Sequence, residues 1–394
     1  MKILILSCNT GGGHNSAAKA IKEIFDKKGH TCDITDVLAF GGQKASDLVC
    51  DAYIEIVKKT PQLFGKIYEM GTKMGQLTQE NTKLRSPVYL VNKLYADALE
   101  EYIKQNEYDA VVCVHIFAAE AMTNLKKHGR VSIPFYFVAT DYYCSPMLEE
   151  TIPNKIFIAH KDSTFTYLDH GIDKKLLLPT GIPVSQKFLT KKDKALARQE
   201  LGLTNEDQVF LLMSGSMGFG DLIDTTKYIF DNGNANTRVI AITGHNEELY
   251  KNLESEFKNE DRLILVGFTD KVSDYLDASD VLLTKPGGLS STEALAKGIA
   301  LIHTAPIPGC ESENVQFFTE HHLSLCAHEA SDAGRIAVEL MNDKFMQDQI
   351  LAAQDHFRCQ NSAQQIVDFI ESNFLSKNIG RWVFHRCCNL CRQR

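Results

Sequence analysis

The stretch NTGGGHNSAAKAIKEIF, from Asn9 to Phe25, follows directly on the apolar run ILILS. It reads as a strand, a glycine turn and an amphipathic helix, with Ala17, Ala18, Ile21, Ile24 and Phe25 at helical spacing. Glycine lets a ligand approach the backbone without a Cβ in the way. The free N–H groups of a helix N-terminus attract phosphate. Gly11, Gly12 and Gly13 therefore read as a loop for a phosphate or for another group held tightly against the backbone. A plain tight turn is the alternative. A dinucleotide site is the sharper rival, because Asp33 and Asp36 stand about where a ribose-binding acid belongs. Its glycine pattern fails, since Ser16 occupies the place of the third glycine, and no Walker lysine follows.

The second half repeats the plan. SGSMGFG, Ser214 to Gly220, stands between a strand and a helix, as does TKPGGLSSTEALAKG, Thr284 to Gly298. In the latter, Pro286 ends the strand, Gly287 and Gly288 turn, and Ser290, Ser291 and Thr292 open the next helix. Three hydroxyls and a helix N-terminus suit a diphosphate held without metal. Glu293 falls in the first helical turn. It is either a capping partner or a bidentate acceptor for two ribose hydroxyls.

These loops need elements to hold them. Candidate strands are Lys2–Ser7, Thr31–Val37, Ala110–His115, Phe135–Ala139 and Lys155–Ala159, then Val209–Ser214, Arg238–Thr243, Leu263–Val266, Val281–Thr284 and Ala300–His303. Helical patterns alternate with them, which implies two α/β units of doubly wound parallel sheet. The joint falls near residue 185, inside TGIPVSQKFLTKKDKALARQELGL. Residues 51–105 break the alternation and read as largely helical. The 394 residues, 44% hydrophobic and 23% charged, suit a soluble two-domain protein. A net charge of −8 excludes a general nucleic-acid binder. Eleven cysteines, scattered singly before the tail, suit reduced thiols and a cytoplasmic location. The apolar run after Lys2 is too short for a signal peptide.

The motifs carry a specific resemblance. GGGH at Gly11–His14, AYIEIVKKTPQLFGKIYEMG from Ala52, TD at Thr140-Asp141 and TGIPV from Thr180 match a known family in order. So do LLMSGSMGFGD, VGFTDKVSDYLDASDVLLTKPGGLSSTEALAKG and PIPGCESENVQFF. The chain resembles the glycosyltransferases that include monogalactosyldiacylglycerol synthases and processive diacylglycerol glucosyltransferases. It is more distantly like the lipid II N-acetylglucosaminyltransferase.

The resemblance implies a GT-B fold, two Rossmann-like domains facing a cleft. It places an acceptor and membrane-facing domain at 1–185 and a UDP-sugar domain at 186–360. A helix at 361–376 follows, expected to cross back, and then a tail at 377–394. It implies an inverting hexosyltransferase that moves a sugar from a UDP-hexose to diacylglycerol, with no metal and no cofactor. By position, Phe268 and Thr269 border the uracil, Ser216 and Ser290 face the diphosphate with Gly287 and Gly288, and Glu293 takes the ribose. Glu311 and Asn314 lie in the donor-sugar segment. Where the family usually reads PGQE this chain has Cys310, so the sugar stays open. An epimerase, a non-catalytic binding protein or a transferase for a soluble acceptor are the other readings.

Transfer needs a base for the acceptor's proton. The candidates are Asp141, taken first, and His14, which then orients the acceptor or contacts the diphosphate; the reverse assignment stays open. His115, closing a strand, reads more readily as a core residue.

Diacylglycerol resides in a bilayer, so the enzyme is expected at the cytoplasmic face of a membrane. Residues 58–93 hold seven basic and two acidic residues. A helical stripe with Phe64, flanked by Lys66 and Lys73, suits an anionic surface. The tail KNIGRWVFHRCCNLCRQR has five basic residues and no acid. One C-x-x-C with a nearby His is a poor zinc motif, and the tail reads as disordered or membrane-touching.

Overall fold

The structure, a computed structural model, describes residues 1–9, 12–42, 95–215, 222–307, 309–359 and 361–391. Gly11, Ser216, Phe64, Lys66 and Lys73 lie outside the described residues, as does most of the segment expected to be helical between 51 and 105. Its described end is helical.

The first domain is a parallel sheet of β1 (Lys2–Ser7), β2 (Thr31–Asp36), β3 (Ala110–Cys113), β4 (Phe135–Val138), β5 (Lys155–Ile158) and β6 (Leu177–Pro179), in the order β2-β1-β3-β4-β5-β6. Its longer helices are α1 (Gly12–Lys27), α2 (Ala96–Asn106) and α3 (Ile116–Lys127). The second sheet joins β7 (Gln208–Met213), β8 (Thr237–Ile242), β9 (Leu263–Val266), β10 (Val281–Thr284), β11 (Ala300–His303) and β12 (Leu325–Cys326), in the order β12-β11-β10-β7-β8-β9. Around it stand α4 (Leu222–Asn232), α5 (Glu247–Glu256), α6 (Gly288–Lys297), α7 (Cys310–Glu320), α8 (Ala333–Asn342) and α9 (Lys344–Phe357).

In each sheet the strand order reverses beside its first strand, between β1 and β3 and between β7 and β10. Ligands bind outside the carboxyl ends of strands at such a switch point. Among the described residues, the loops that leave β1, β3 and β10 carry His14, His115 and Gly287-Gly288. Near-continuous apolar strands such as VFLLM and VLLT are buried on both faces, as parallel strands between helices require.

β6 and β12 were not expected. They are edge strands of three and two residues, and β6 ends on Pro179. A proline on an outer strand costs no ladder bond, so neither composition nor alternation marks them.

The chain crosses between the domains twice, and the crossings touch. Ser362 Oγ donates to Gly181 O at 2.5 Å and Cys359 Sγ to Thr180 O at 2.8 Å. Gly181 has φ +89°, and a Cβ there would lie 2.8 Å from the Cβ of Cys359. α10 (Ser362–Cys391) then lies on the first sheet. Ala363, Ile366, Val367 and Ile370 are buried in one cluster with Ile3, Ile5, Phe25 and Phe157. Lys28 fastens its flank to Asp368 and Glu371, and His30 Nε2 lies 3.0 Å from Glu371. The helix runs on to Cys391, through most of the tail that was read as disordered or membrane-touching. No proline interrupts 362–391, so the backbone ladder continues past Gly380.

Truncating Ile366, fully buried, removes methyl groups that α10 packs on the first sheet. Ile366→Ala should cost about 2–5 kcal/mol of stability in urea titration. Leu375→Ala, at a side chain 53% exposed, should cost less than about 0.5 kcal/mol. Equal effects would mean that α10 is not part of that core.

Candidate active site

The turn after β1 is braced before any ligand arrives. Ser7 Oγ donates to Asn15 Oδ1 at 2.7 Å, and Asn15 Nδ2 donates to Asn9 Oδ1 at 2.8 Å. Asn9 Nδ2 donates to Asp36 Oδ2 at 2.9 Å, and Asp36 also caps the turn at Leu38 N. Asp33 accepts from the Tyr108 hydroxyl at 2.7 Å. Both acids of the dinucleotide rival thus have structural tasks. Gly12 and Gly13 open α1, and a Cβ on Gly13 would meet Leu289 of the other domain at 3.6 Å.

His14 follows them. Its Nδ1 lies 2.8 Å from the carbonyl oxygen of Val114, which can only accept. The proton of the neutral ring is therefore on Nδ1, and Nε2 keeps its lone pair. Burial lowers the imidazole pKa, Asp141 partly opposes this, and so does the Val114 bond. The ring stays neutral near pH 7, as a base must. Thr140 Oγ1 lies 3.1 Å from the same Nδ1 and 3.4 Å from Asp141 Oδ2. With the ring donating, this hydroxyl turns its own hydrogen toward Asp141. The two candidate bases are thus joined through Thr140.

His115 stands edge-on to His14, ring centroids 4.6 Å apart. Its Nδ1 accepts from Phe117 N and caps α3, so its ring has the opposite tautomer. Burial pushes its pKa well down, and His14 adds to this. The cap explains a histidine at the end of β3, and its place against His14 makes it part of the site's wall.

The end of β4 meets the donor domain here. Asn314 is 1% exposed. Its Oδ1 accepts from Tyr142 N at 2.9 Å, and its Nδ2 donates to Asp141 Oδ1 and to Pro286 O, each at 2.9 Å. The Tyr142 hydroxyl is 3.0 Å from Thr292 Oγ1. A Cβ on Gly288 would be driven into the carbonyl oxygen of Thr140 and would lie 3.0 Å from the Cα of Asp141. Only glycine permits this approach.

On the donor side, α6 is preceded by Gly287, which has no side chain to cap it, and its first turn has no acid: Glu293, expected there, stands in the second turn. Its N–H groups are ready for an anion. Of the three hydroxyls expected at a diphosphate, Ser290 is half-buried. Ser291 Oγ instead bonds His303 Nε2 at 2.9 Å in the core, and Thr292 bonds Gly288 O at 2.6 Å besides Tyr142. Glu293, half-buried, has no hydrogen bond or ion pair with a described residue. Burial pushes its carboxyl up to about 8, with Lys187 pulling the other way. Phe268 is 64% exposed and stacks on His245, centroids 4.1 Å apart and planes 14° from parallel. Thr269 Oγ1 accepts from Lys271 N at 3.0 Å. Glu311 pairs with Lys285 at 2.7 Å and accepts from Ile307 N at 2.8 Å. It holds the loop before α7 with both oxygens.

Sequence reasoning missed the bridging hydroxyl of Thr140, the stack of His245 and the pairing of Lys285. Thr140 adjoins a candidate base, which is a usable signal; nothing local marks His245.

Residues 14–184 match the family model described as monogalactosyldiacylglycerol (MGDG) synthase. The processive diacylglycerol beta-glucosyltransferase of Staphylococcus aureus (strain MRSA252) is 27% identical over 258 residues, 64% of this chain and 66% of that protein. The match thus spans just under two thirds of that relative's length. The resemblance drawn from the motifs holds. Among solved structures, Acinetobacter baumannii MurG is similar at TM-score 0.60 and 14% identity, covering 94% of this chain and 99% of that one. A putative UDP-N-acetylglucosamine 2-epimerase from Listeria monocytogenes reaches 0.64 at 13% identity, covering 95% and 96%. The fold is GT-B, two Rossmann-like domains, as expected.

The Glu293 carboxyl sets a pH test. Its folded pKa, about 8, stands above an unfolded value of about 4.3. Stability tied to the neutral acid is full below the unfolded value and lost as pH rises through 8. Thermal melts from pH 5 to 9 should show Glu293→Gln gaining on the wild type as pH rises. A constant difference would mean that Glu293 ionises normally.

Proposed function

We propose that this protein transfers a hexose from a UDP-sugar to diacylglycerol at a membrane surface, with inversion at the anomeric carbon. The observation that carries it is the meeting of two helix N-termini. α1 brings His14 with a free Nε2, and α6 brings an uncapped anion site with Ser290 and Glu293. One suits an acceptor hydroxyl and the other a diphosphate. The similarity to a diacylglycerol glucosyltransferase and to an MGDG synthase model supports the acceptor.

In this reading His14 Nε2 takes the proton of the acceptor hydroxyl. The acceptor oxygen bonds to the anomeric carbon as that carbon's bond to the diphosphate oxygen breaks. UDP leaves with the bonding electrons, and the α6 terminus with Ser290 stabilises its charge. Asp141, linked through Thr140, favours the imidazolium that forms. We take His14 rather than Asp141 as the base, because Asp141 Oδ1 already accepts from Asn314. Glu293 receives the ribose hydroxyls, and Phe268 on His245 borders the uracil. The reading calls on no metal or cofactor. No helix among the described residues is long and apolar enough to cross a membrane. In this reading the enzyme meets its lipid at the membrane surface, on the cytoplasmic side.

The test is incubation with diacylglycerol liposomes and a panel of UDP-sugars. Glycolipid and UDP should form in equal amounts. His14→Ala should lower turnover by about 10²–10⁴-fold while UDP affinity stays within about threefold. Asp141→Asn should be milder. UDP release without glycolipid, or transfer only to a soluble acceptor, would contradict the acceptor. A dead Asp141→Asn beside an active His14→Ala would exchange the two roles.

A further inference from the structure

Asn314 was expected to touch the donor sugar, but its amide is taken up within the protein. One N–H goes to Pro286 O of its own domain, which fixes the plane of the amide. The other N–H goes to Asp141 Oδ1, and the carbonyl oxygen takes the N–H of Tyr142. The amide thus reads a side chain and the next peptide of the opposite domain as a two-pronged fork. The second carboxylate oxygen of Asp141 faces Thr140 and, through it, Nδ1 of His14.

We propose that Asn314 is a positioning residue: from the donor domain it holds Asp141 against the Thr140–His14 pair, so that the carboxylate partner of the base is aligned only while the two domains are joined. This rests on the reading of His14 as the base. It makes one face of α7 a reporter of closure, because the same bonds that join the domains fix the carboxylate. Opening the joint breaks both prongs together and frees Asp141 to turn into the cleft. The titratable groups on the elements packed here are His14 of α1, His115 ahead of α3, Tyr142 after β4, Glu293 of α6 and the Lys285–Glu311 pair. Of these, His14 and Tyr142 feel the charge of Asp141.

Two variants test it, with thermal melts and UDP affinity checking that each is folded. Asn314→Ala should lower kcat by about 10–100-fold with the KM for UDP-sugar within about threefold. In an Asp141→Asn background the same change should cost less than about threefold more, since the two act as a unit. Asn314→Asp keeps the shape and carries the test should the alanine variant unfold. Its protonated acid can donate to Asp141 and accept from Tyr142 N, whereas two carboxylates repel. Its activity relative to wild type should therefore rise as pH falls. A raised KM with unchanged kcat, an altered sugar preference, or additivity with Asp141→Asn would make Asn314 a donor contact and overturn the proposal. NMR titration of His14 in the free protein separates the two readings. A lower His14 pKa in Asn314→Ala, in a protein that transfers no sugar, supports the positioning and sinks the transferase. Active wild type with no change in His14 titration or kcat sinks the positioning alone.

Discussion

The two domains touch backbone against backbone where the end of β4 reaches α6. Gly288 has no Cβ, and the carbonyl oxygen of Thr140 occupies the volume a Cβ would take. Much else at the site follows from that approach. It brings Asp141 within reach of Asn314 and the Tyr142 hydroxyl within reach of Thr292. It sets the N-terminus of α6 opposite the N-terminus of α1. A single methyl group at residue 288 would move these elements apart, and the hydrogen bonds across the joint tolerate displacements of only a few tenths of an ångström.

The second constraint is the double crossing. The contact of Gly181 with Cys359 ties the outgoing chain to the returning one, and α10 completes the core of the first domain. The site then combines a pre-braced side with a dependent one. His14 is held by Val114 within its own domain, so its tautomer persists whatever the donor domain does. Asp141 is held from across the joint, so its orientation does not.

Much of this was legible in the sequence because the physics is local. Ten strands were marked by short apolar runs, and four of them, Lys2–Ser7, Leu263–Val266, Val281–Thr284 and Ala300–His303, fall on their observed bounds. Glycines marked the starts of α1 and α6. What was not legible is partner choice. Ser290, Ser291 and Thr292 are adjacent hydroxyls on one helix, yet successive residues point 100° apart, so two of them turn inward to His303 and Tyr142. Asn314 and Glu311 sit in the segment expected to meet the donor sugar, but they bond within the protein, at the joint and with Lys285. Such pairings join residues more than a hundred positions apart, or depend on a rotamer, and no spacing rule contains them.

In the proposed reaction, catalysis depends on this close joint rather than on donor binding alone. Gly288→Ala tests it most directly, by measuring UDP affinity calorimetrically and sugar transfer to diacylglycerol on the same preparation. UDP affinity should stay within about threefold of wild type, because Ala suits the first turn of α6, and turnover should fall at least ~10²-fold, as for a misplacement of about 1 Å. Turnover equal to wild type would contradict it.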